Sequence, residues 1–161
     1  MYSVGDKVVH PMHGAGTVEE IRQIEIAGKK RKYYSISFAG GSMTANVPID
    51  NSDSIGLRDV IGKDEARHVI ETFISIPISD DINWNKRQRE NLIKIKSGDI
   101  YQVVSVLKDL MYRDRIKGLS TNERKTLSSA KQIVLSELVL SAFASESDIE
   151  NIMNDTIDAL I

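Results

Sequence analysis

The spacing of apolar residues changes once along this chain, near Pro48, and this change constrains the fold more than any other feature. Before it, the segment Tyr34-Ser35-Ile36-Ser37-Phe38 alternates apolar and small polar residues, which is typical of a strand with one buried face. After it, the apolar residues of 64–75 recur three and four apart, which is the spacing of a helix with one buried stripe. The chain therefore has two unlike parts.

The amino-terminal part is predicted to form four or five short strands. The segments 7–9, 16–26, 33–38 and 43–49 favour strands, and the segments 27–30 and 39–42 favour hairpin turns. With so few strands, closure is the economical way to hide the sheet edges. We therefore predict a small SH3-like or Tudor-like barrel.

The second part is predicted to form five helices, at 64–75, 83–97, 99–118, 120–144 and 147–160. Asn83 and Asp99 can cap the free amides of a first turn. Ser120 and Glu123 match a capping box, in which each side chain satisfies the other residue's backbone donor, and Ser147 with Glu150 repeats that signature. The predicted fold class is α+β, with a Tudor-like barrel over residues 1–52 and a compact all-α domain over 53–161.

Composition excludes several classes of protein. The 161 residues include no cysteine, which rules out disulfides, thiolate zinc sites and cysteine nucleophiles. No apolar run approaches the roughly 20 residues of a membrane helix, and the first residues lack the apolar stretch of a signal peptide. We expect a cytoplasmic protein without membrane contact and, by default, a monomer.

Residues that carry enzyme chemistry are sparse. His10 and His13 flank a proline, which favours a structural turn, and His68 lies on the polar side of its helix. The segment 14–16 lacks the lysine and the helix of a phosphate loop, and Asp80-Asp81 is typical of a helix start. We therefore predict no catalytic residue, no metal and no cofactor.

The charges of the chain are sorted by segment. Residues 84–131 carry 12 basic and 5 acidic groups, whereas residues 132–161 carry no basic and 6 acidic groups. A basic block in a protein of net charge −2 suits a face that binds a polyanion, although a solvated helix surface gives the same pattern.

The start of the second helix combines the only tryptophan, Trp84, with Lys86, Arg87 and Arg89. One interpretation packs Trp84 into the helical core, on the side that Gln88, Leu92 and Ile95 would occupy. The other makes Trp84 an exposed wedge that enters a minor groove or stacks on an unpaired base, while the cations neutralise phosphates. The basic residues that would extend this surface are Lys94, Lys96, Lys108, Arg113, Arg115, Lys117, Arg124, Lys125 and Lys131.

Motifs along nearly the whole chain resemble one known family. They are Val4-Gly5-Asp6-Lys7-Val8-Val9-His10-Pro11 with His13-Gly14, Val47-Pro48, Gly56-Leu57-Arg58-Asp59-Val60, Asn83-Trp84-Asn85-Lys86-Arg87, Asn91-Leu92, Ser97-Gly98-Asp99 and Gly118-Leu119-Ser120. This set resembles the CarD/CdnL family of bacterial transcription regulators. The opening segment also resembles the polymerase-interacting domain of the transcription-repair coupling factor, so the tryptophan segment is the more specific part.

The resemblance implies a transcription regulator without a catalytic cycle. Its barrel would dock on the β subunit of RNA polymerase, and its helices would contact promoter DNA at the upstream edge of the melted −10 region. Trp84 would be the wedge, with Asn85 beside it and Lys86, Arg87 and Arg89 on phosphates. Such a protein would stabilise the open complex by binding it better than the closed complex.

The docking residues implied by the resemblance are Arg22, Ile24, Thr44, Asn46 and Val47. Ile24 and Asn46 stand where family members can carry arginines. Arg22 and the basic run 29–32 can supply charge from neighbouring positions, or an exposed strand edge can pair with a polymerase strand.

Two other functions remain open at the level of sequence. A general nucleic-acid-binding or ribosome-associated barrel protein would use the basic run 29–32 and would bind without polymerase. An interaction adaptor would make no DNA contact and would be insensitive to Trp84→Ala.

Overall fold

The first part of the chain forms an antiparallel sheet. In this computed structural model, which describes residues 1–38, 43–79 and 83–161, the strands are β1 Lys7–His10, β2 Gly14–Ile26, β3 Lys29–Phe38, β4 Thr44–Pro48 and β5 Arg58–Asp59. Their order in the sheet is β4-β3-β2-β1-β5. The predicted strands are confirmed. Strand β5 was not located from the sequence, because two residues are too few to show an alternating pattern.

The hairpin between β2 and β3 turns over two residues. Ala27 and Gly28 both have positive φ, at 53° and 78°, which is typical of a two-residue turn that matches the twist of the flanking strands. The predicted four-residue turn at 27–30 is therefore too long, because Lys29 and Lys30 already pair with Ile26 and Glu25.

One face of the sheet encloses a small core of its own, and the opposite face is covered at Val9 and Ala15, which are buried. Tyr34 and Ile36 of β3 are buried with Val8, Val18, Phe38, Val47 and Leu57 in a small core. Residues paired across strands share a face and successive residues alternate, so the register fixes which side chains lie on the opposite, outer face.

Six helices follow among the described residues. A short helix, α1 Ser52–Ile55, precedes five longer ones: α2 Lys63–Ser75, α3 Trp84–Lys96, α4 Ile100–Ile116, α5 Thr121–Leu140 and α6 Glu146–Asp158. Three predicted caps are confirmed, because the side chains of Asn83, Asp99 and Ser120 accept backbone N–H groups of the first turns.

Two helix boundaries differ from the prediction. Helix α5 ends at Leu140 and not near 144, because Ala142 adopts a left-handed φ of 62°. Helix α6 is capped by Ser145, whose hydroxyl accepts the amide of Asp148, and not by Ser147.

The predicted fold class is confirmed: a small Tudor-like sheet domain precedes an all-α part with five main helices in the described ranges. The division after residue 52 stays a prediction, although β5 pairs with β1 and so belongs to the sheet. The predicted turn at 39–42 and the pair Asp80-Asp81 lie outside the described residues.

The sheet and the helices meet along α5. The hydroxyl of Ser136 accepts the backbone N–H of Ala15 at 2.9 Å. Arg58 on β5 donates two hydrogen bonds to the fully buried carboxylate of Glu137, at 2.6 and 2.7 Å, and a third to the carbonyl of Gly98. Because a buried carboxylate requires such partners, these bonds fix how the sheet sits on α5.

The β1–β2 turn carries the two predicted turn histidines. The rings of His10 and His13 lie 4.5 Å apart, and His10 Nδ1 accepts the amide of Met12. The Pro11 ring lies beside Gly56 and Gly98. His68, in contrast, is exposed, as predicted, with Nδ1 2.8 Å from the hydroxyl of Tyr101.

Acid should destabilise the protein through His10. Burial, together with the neighbouring His13, lowers the pKa of His10 from its ordinary 6.5. His10 then binds a proton more readily in the unfolded chain than in the folded chain. The stability contributed by neutral His10 is therefore complete above pH 6.5 and is lost as the pH falls through the folded pKa. Urea unfolding at about pH 7.5 and about pH 5.5 measures the loss. His10→Gln should lose less stability over this range, and an equal loss would contradict the assignment.

Candidate nucleic-acid interface

Trp84 occupies the first turn of α3 and remains 41% exposed. Asn83 caps this helix by accepting the amide of Lys86 at 3.1 Å. The interpretation that buries the Trp84 indole in the helical core is therefore wrong.

The indole N–H of Trp84 donates to Glu123 Oε1 at 2.7 Å. Glu123 lies in the first turn of α5, is only 3% exposed, and has its own amide capped by Ser120 at 3.2 Å. The predicted capping box is thus half right. The serine half forms, but the glutamate carboxylate turns toward α3 because Trp84 and Arg87 both donate to it.

Arg87 is the site residue that differs most from the expectation. Its Nη2 lies 3.1 Å from Glu123 Oε2, and the residue is only 9% exposed. An arginine so placed neutralises a buried carboxylate and does not present its charge to a polyanion. Sequence reasoning counted Arg87 as a surface cation because its partner is 36 residues away.

The exposed side of α3 carries the remaining predicted residues. Asn85, Lys86 and Arg89 are all exposed, and Lys96 lies two turns beyond Arg89. Lys86 also lies 4.0 Å from Glu90 on its own helix, a surface pair of little energetic weight. Trp84, Lys86 and Arg89 therefore lie in the first two turns of α3, and Lys96 lies at the other end of the helix.

The buried stripe of α3 differs from the predicted one. It consists of Arg87, Asn91 and Ile95, whereas Leu92 is exposed. Gln88 donates to the hydroxyl of Thr126 at 3.2 Å, which adds a second tie between α3 and α5. Polar residues thus make most of the contacts between α3 and α5. The pattern of apolar residues therefore predicted the wrong buried side of α3.

Helix α4 contacts the end of α2 and the residues that follow it up to Ser79. Lys108, a predicted surface cation, is buried, and its ammonium donates to the carbonyls of Ile74 and Ile76 at 3.0 and 2.5 Å. Burial lowers its pKa. Arg113 donates to the carbonyl of Ser79 at 3.0 Å. Both residues therefore bind backbone carbonyls at and after the end of α2. The prediction that they belong to the basic surface is wrong.

Other members of the basic block are also paired. Arg115 contacts Asp158, and Lys131 lies 3.6 Å from Glu150. The acidic carboxyl-terminal segment thus pairs with part of the basic block, whereas Lys117, Arg124 and Lys125 are exposed.

A second candidate surface is the outer face of the sheet. Four of the five predicted docking residues lie on it by register: Arg22, Ile24, Thr44 and Asn46. Val47 is the exception. Its side chain is buried opposite Tyr34, so only its backbone on the outermost strand β4 can contribute.

Two classes of site find no support in the described part of the chain. Residues 1–38, 43–79 and 83–161 contain no group of three or more histidine, aspartate or glutamate side chains arranged to hold a metal ion. No helix in these ranges has the length and apolar character needed to cross a membrane.

Comparison with known proteins identifies the family. Residues 2–61 match the family model described as the CarD-like/TRCF RID domain, and residues 68–154 match that of the CarD C-terminal domain. This chain belongs to the CarD family. It is also 32% identical over 151 residues to the protein named "Putative transcription factor YdeB" from Bacillus subtilis (strain 168), an alignment that covers 94% of this chain and 99% of that protein.

Membership in the CarD family confirms the resemblance drawn from the motifs, and it classes the chain with transcription factors. Sequence reasoning did not find the role of Glu123, although the residue was singled out for a cap. The missing signal is tertiary, since Trp84 and Glu123 are 39 residues apart.

Proposed function

We propose that this CarD family member docks on the β subunit of bacterial RNA polymerase and stabilises the promoter open complex through Trp84. One observation carries the proposal: a tryptophan that is partly exposed yet hydrogen-bonded stands at the start of a helix with an exposed basic side. Aromatic wedges next to cations are how proteins hold distorted or opened DNA.

The mechanism is one of differential binding. A ligand shifts a conformational equilibrium only by the difference between its affinities for the two states. Trp84 would stack at the upstream edge of the −10 bubble, where the duplex opens, while Lys86 and Arg89 neutralise phosphates and Asn85 lies beside them. In a closed duplex that stacking surface is absent, so the open complex gains the additional contact.

In this proposal Arg87 does not contact DNA. It supports the interface from behind by neutralising Glu123, which in turn holds the indole. The contacts are to backbone and to an opened step, and such contacts read deformability more than base identity.

Replacing Trp84 with alanine should abolish the effect on the open complex. Stacking of one base on an aromatic ring contributes about 1–3 kcal/mol, so the wild-type protein should lengthen the open-complex lifetime by about 5- to 150-fold. The assay uses purified bacterial RNA polymerase, one promoter, and competitor challenge. The variant should leave the lifetime at its basal value.

A thermal melt must first establish that the variant folds. Because Trp84 is partly exposed, its removal should cost well below the roughly 3–5 kcal/mol of a fully buried aromatic side chain. An unchanged lifetime with the wild-type protein would contradict the proposal. Nucleic-acid binding without polymerase would then favour the basic run 29–32 of β3, in which Arg31 already pairs with Asp50 at 2.9 Å.

Docking on the polymerase is proposed to use the outer face of the sheet. Arg22, Ile24, Thr44 and Asn46 share this face, and β4 is an outermost strand whose edge can pair with a strand of the partner. Arg22 also lies 3.7 Å from Glu20, so this face carries both signs of charge.

Ile24→Glu should weaken binding to the polymerase by at least about tenfold, because a carboxylate would be desolvated in the contact. The matched control is Ile21→Glu, which makes the same change on the same strand but on the opposite face, since Ile21 pairs with Tyr34. Surface plasmon resonance with immobilised core polymerase measures both. Equal weakening by the two variants would contradict docking through the outer face.

A further inference from the structure

The carboxylate of Glu123 does not serve the cap that its position in the sequence predicts. It lies in the first turn of α5 with 3% exposure, and its two oxygens are divided between two residues of α3. Oε1 accepts the indole N–H of Trp84 at 2.7 Å, and Oε2 accepts from Arg87 Nη2 at 3.1 Å.

The position of this carboxylate is itself fixed. Ser120 accepts the amide of Glu123 at 3.2 Å, which anchors the residue in the helix start. The helix amino terminus favours a negative charge there. The Arg87 guanidinium, also buried, neutralises the carboxylate from the other side, so Glu123 is a rigid acceptor.

We propose that Glu123 is the positioning residue of the wedge: it holds the Trp84 indole in one orientation before DNA is bound. The inference rests on the proposed function of Trp84. A partly exposed tryptophan in a first helical turn would otherwise sample several rotamers, and ordering it would oppose binding. A charged acceptor at hydrogen-bond distance removes this freedom in advance.

The predicted magnitude follows from the cost of ordering one side chain. Loss of the acceptor should shorten the open-complex lifetime conferred by the protein by about 2- to 12-fold. The effect should be smaller than that of Trp84→Ala, because the ring itself remains available for stacking.

The test uses two double variants that differ only in the acceptor. Arg87→Met with Glu123→Gln removes both buried charges but retains a carbonyl oxygen for the indole. Arg87→Met with Glu123→Leu removes the charges and the acceptor at similar volume. Because Arg87 and Glu123 are replaced together, neither of these two charges stays buried without the other, which avoids the cost of breaking their ion pair.

The first readout is the indole itself. The chain contains a single tryptophan, so its ¹⁵N–¹H spectrum has one indole signal. We expect slow hydrogen exchange of this N–H in the wild-type protein and in the Gln variant, and fast exchange in the Leu variant. Exchange in the wild type as fast as in free tryptophan would overturn the inference whatever the variants do.

The second readout is the open-complex lifetime with full-length protein and polymerase. The Gln variant should retain most of the effect, and the Leu variant should lose the predicted factor. Equal lifetimes for the two would overturn the role of Glu123 while a loss with Trp84→Ala still supported the wedge. If Trp84→Ala behaved like the wild type, the proposed function would fail independently.

Discussion

Replacing Glu137 with alanine should lower the free energy of unfolding by about 3–5 kcal/mol, because it leaves a partly buried arginine without its partner. Glu137 is fully buried and accepts two hydrogen bonds from Arg58 and a third from the backbone of Ile61. Since the Arg58 side chain is 30% exposed, we expect the lower end of this range. Urea unfolding followed by circular dichroism measures the change.

The control for this prediction is the double variant Arg58→Met with Glu137→Leu. Removing both charges together leaves neither charge unpaired, and such a replacement often changes the free energy of unfolding little. The double variant should therefore be more stable than Glu137→Ala alone. A loss below about 1 kcal/mol in the single variant would mean that water reaches Arg58 more readily than its contacts imply.

Gly14→Ala is expected to lower the free energy of unfolding by about 2–4 kcal/mol, from backbone strain and from overlap at the contact with α5. Gly14 has a φ of 84°, and a Cβ there would lie 2.5 Å from Ser136 Oγ and 3.1 Å from the Cα of Ile133. The added methyl would separate β2 from α5 and break the bond from Ala15 to Ser136.

Gly28→Ala provides a matched control for Gly14→Ala. Gly28 has a similar φ of 78°, but a Cβ there would meet no atom within 4 Å. It should cost only the conformational penalty, about 1–2 kcal/mol. The excess loss in Gly14→Ala isolates the contact between the sheet and the helix, and equal losses would argue against any overlap at Ser136.

Local signals predicted the fold well. Asn83, Asp99 and Ser120 were recognised as caps because a cap depends on residues two or three positions apart, and all three accept amides of the first turn. Strand alternation in β3 was equally local. The end of α5 was misplaced because the left-handed φ of Ala142 has no signal in its residue type.

The candidate site was predicted only in part, since its geometry depends on contacts between distant segments. Trp84 and its basic neighbours were found from composition, but Arg87 and Glu123 were assigned to other roles because each has a partner more than 30 residues away. Glu137 offered one signal that was missed: a single acid within an apolar run of a helix requires a buried partner.

The contact between the sheet and the helices determines how the two proposed binding surfaces would work together. A flexible tether between the docking face and Trp84 would only raise the local concentration of the indole near DNA. The bonds from Arg58 and Ala15 to α5 instead keep the two surfaces at one separation and one angle. A protein anchored on the polymerase in this way would place Trp84 at a fixed distance from its docking face. It would contact DNA only in promoter states in which the DNA lies at that distance.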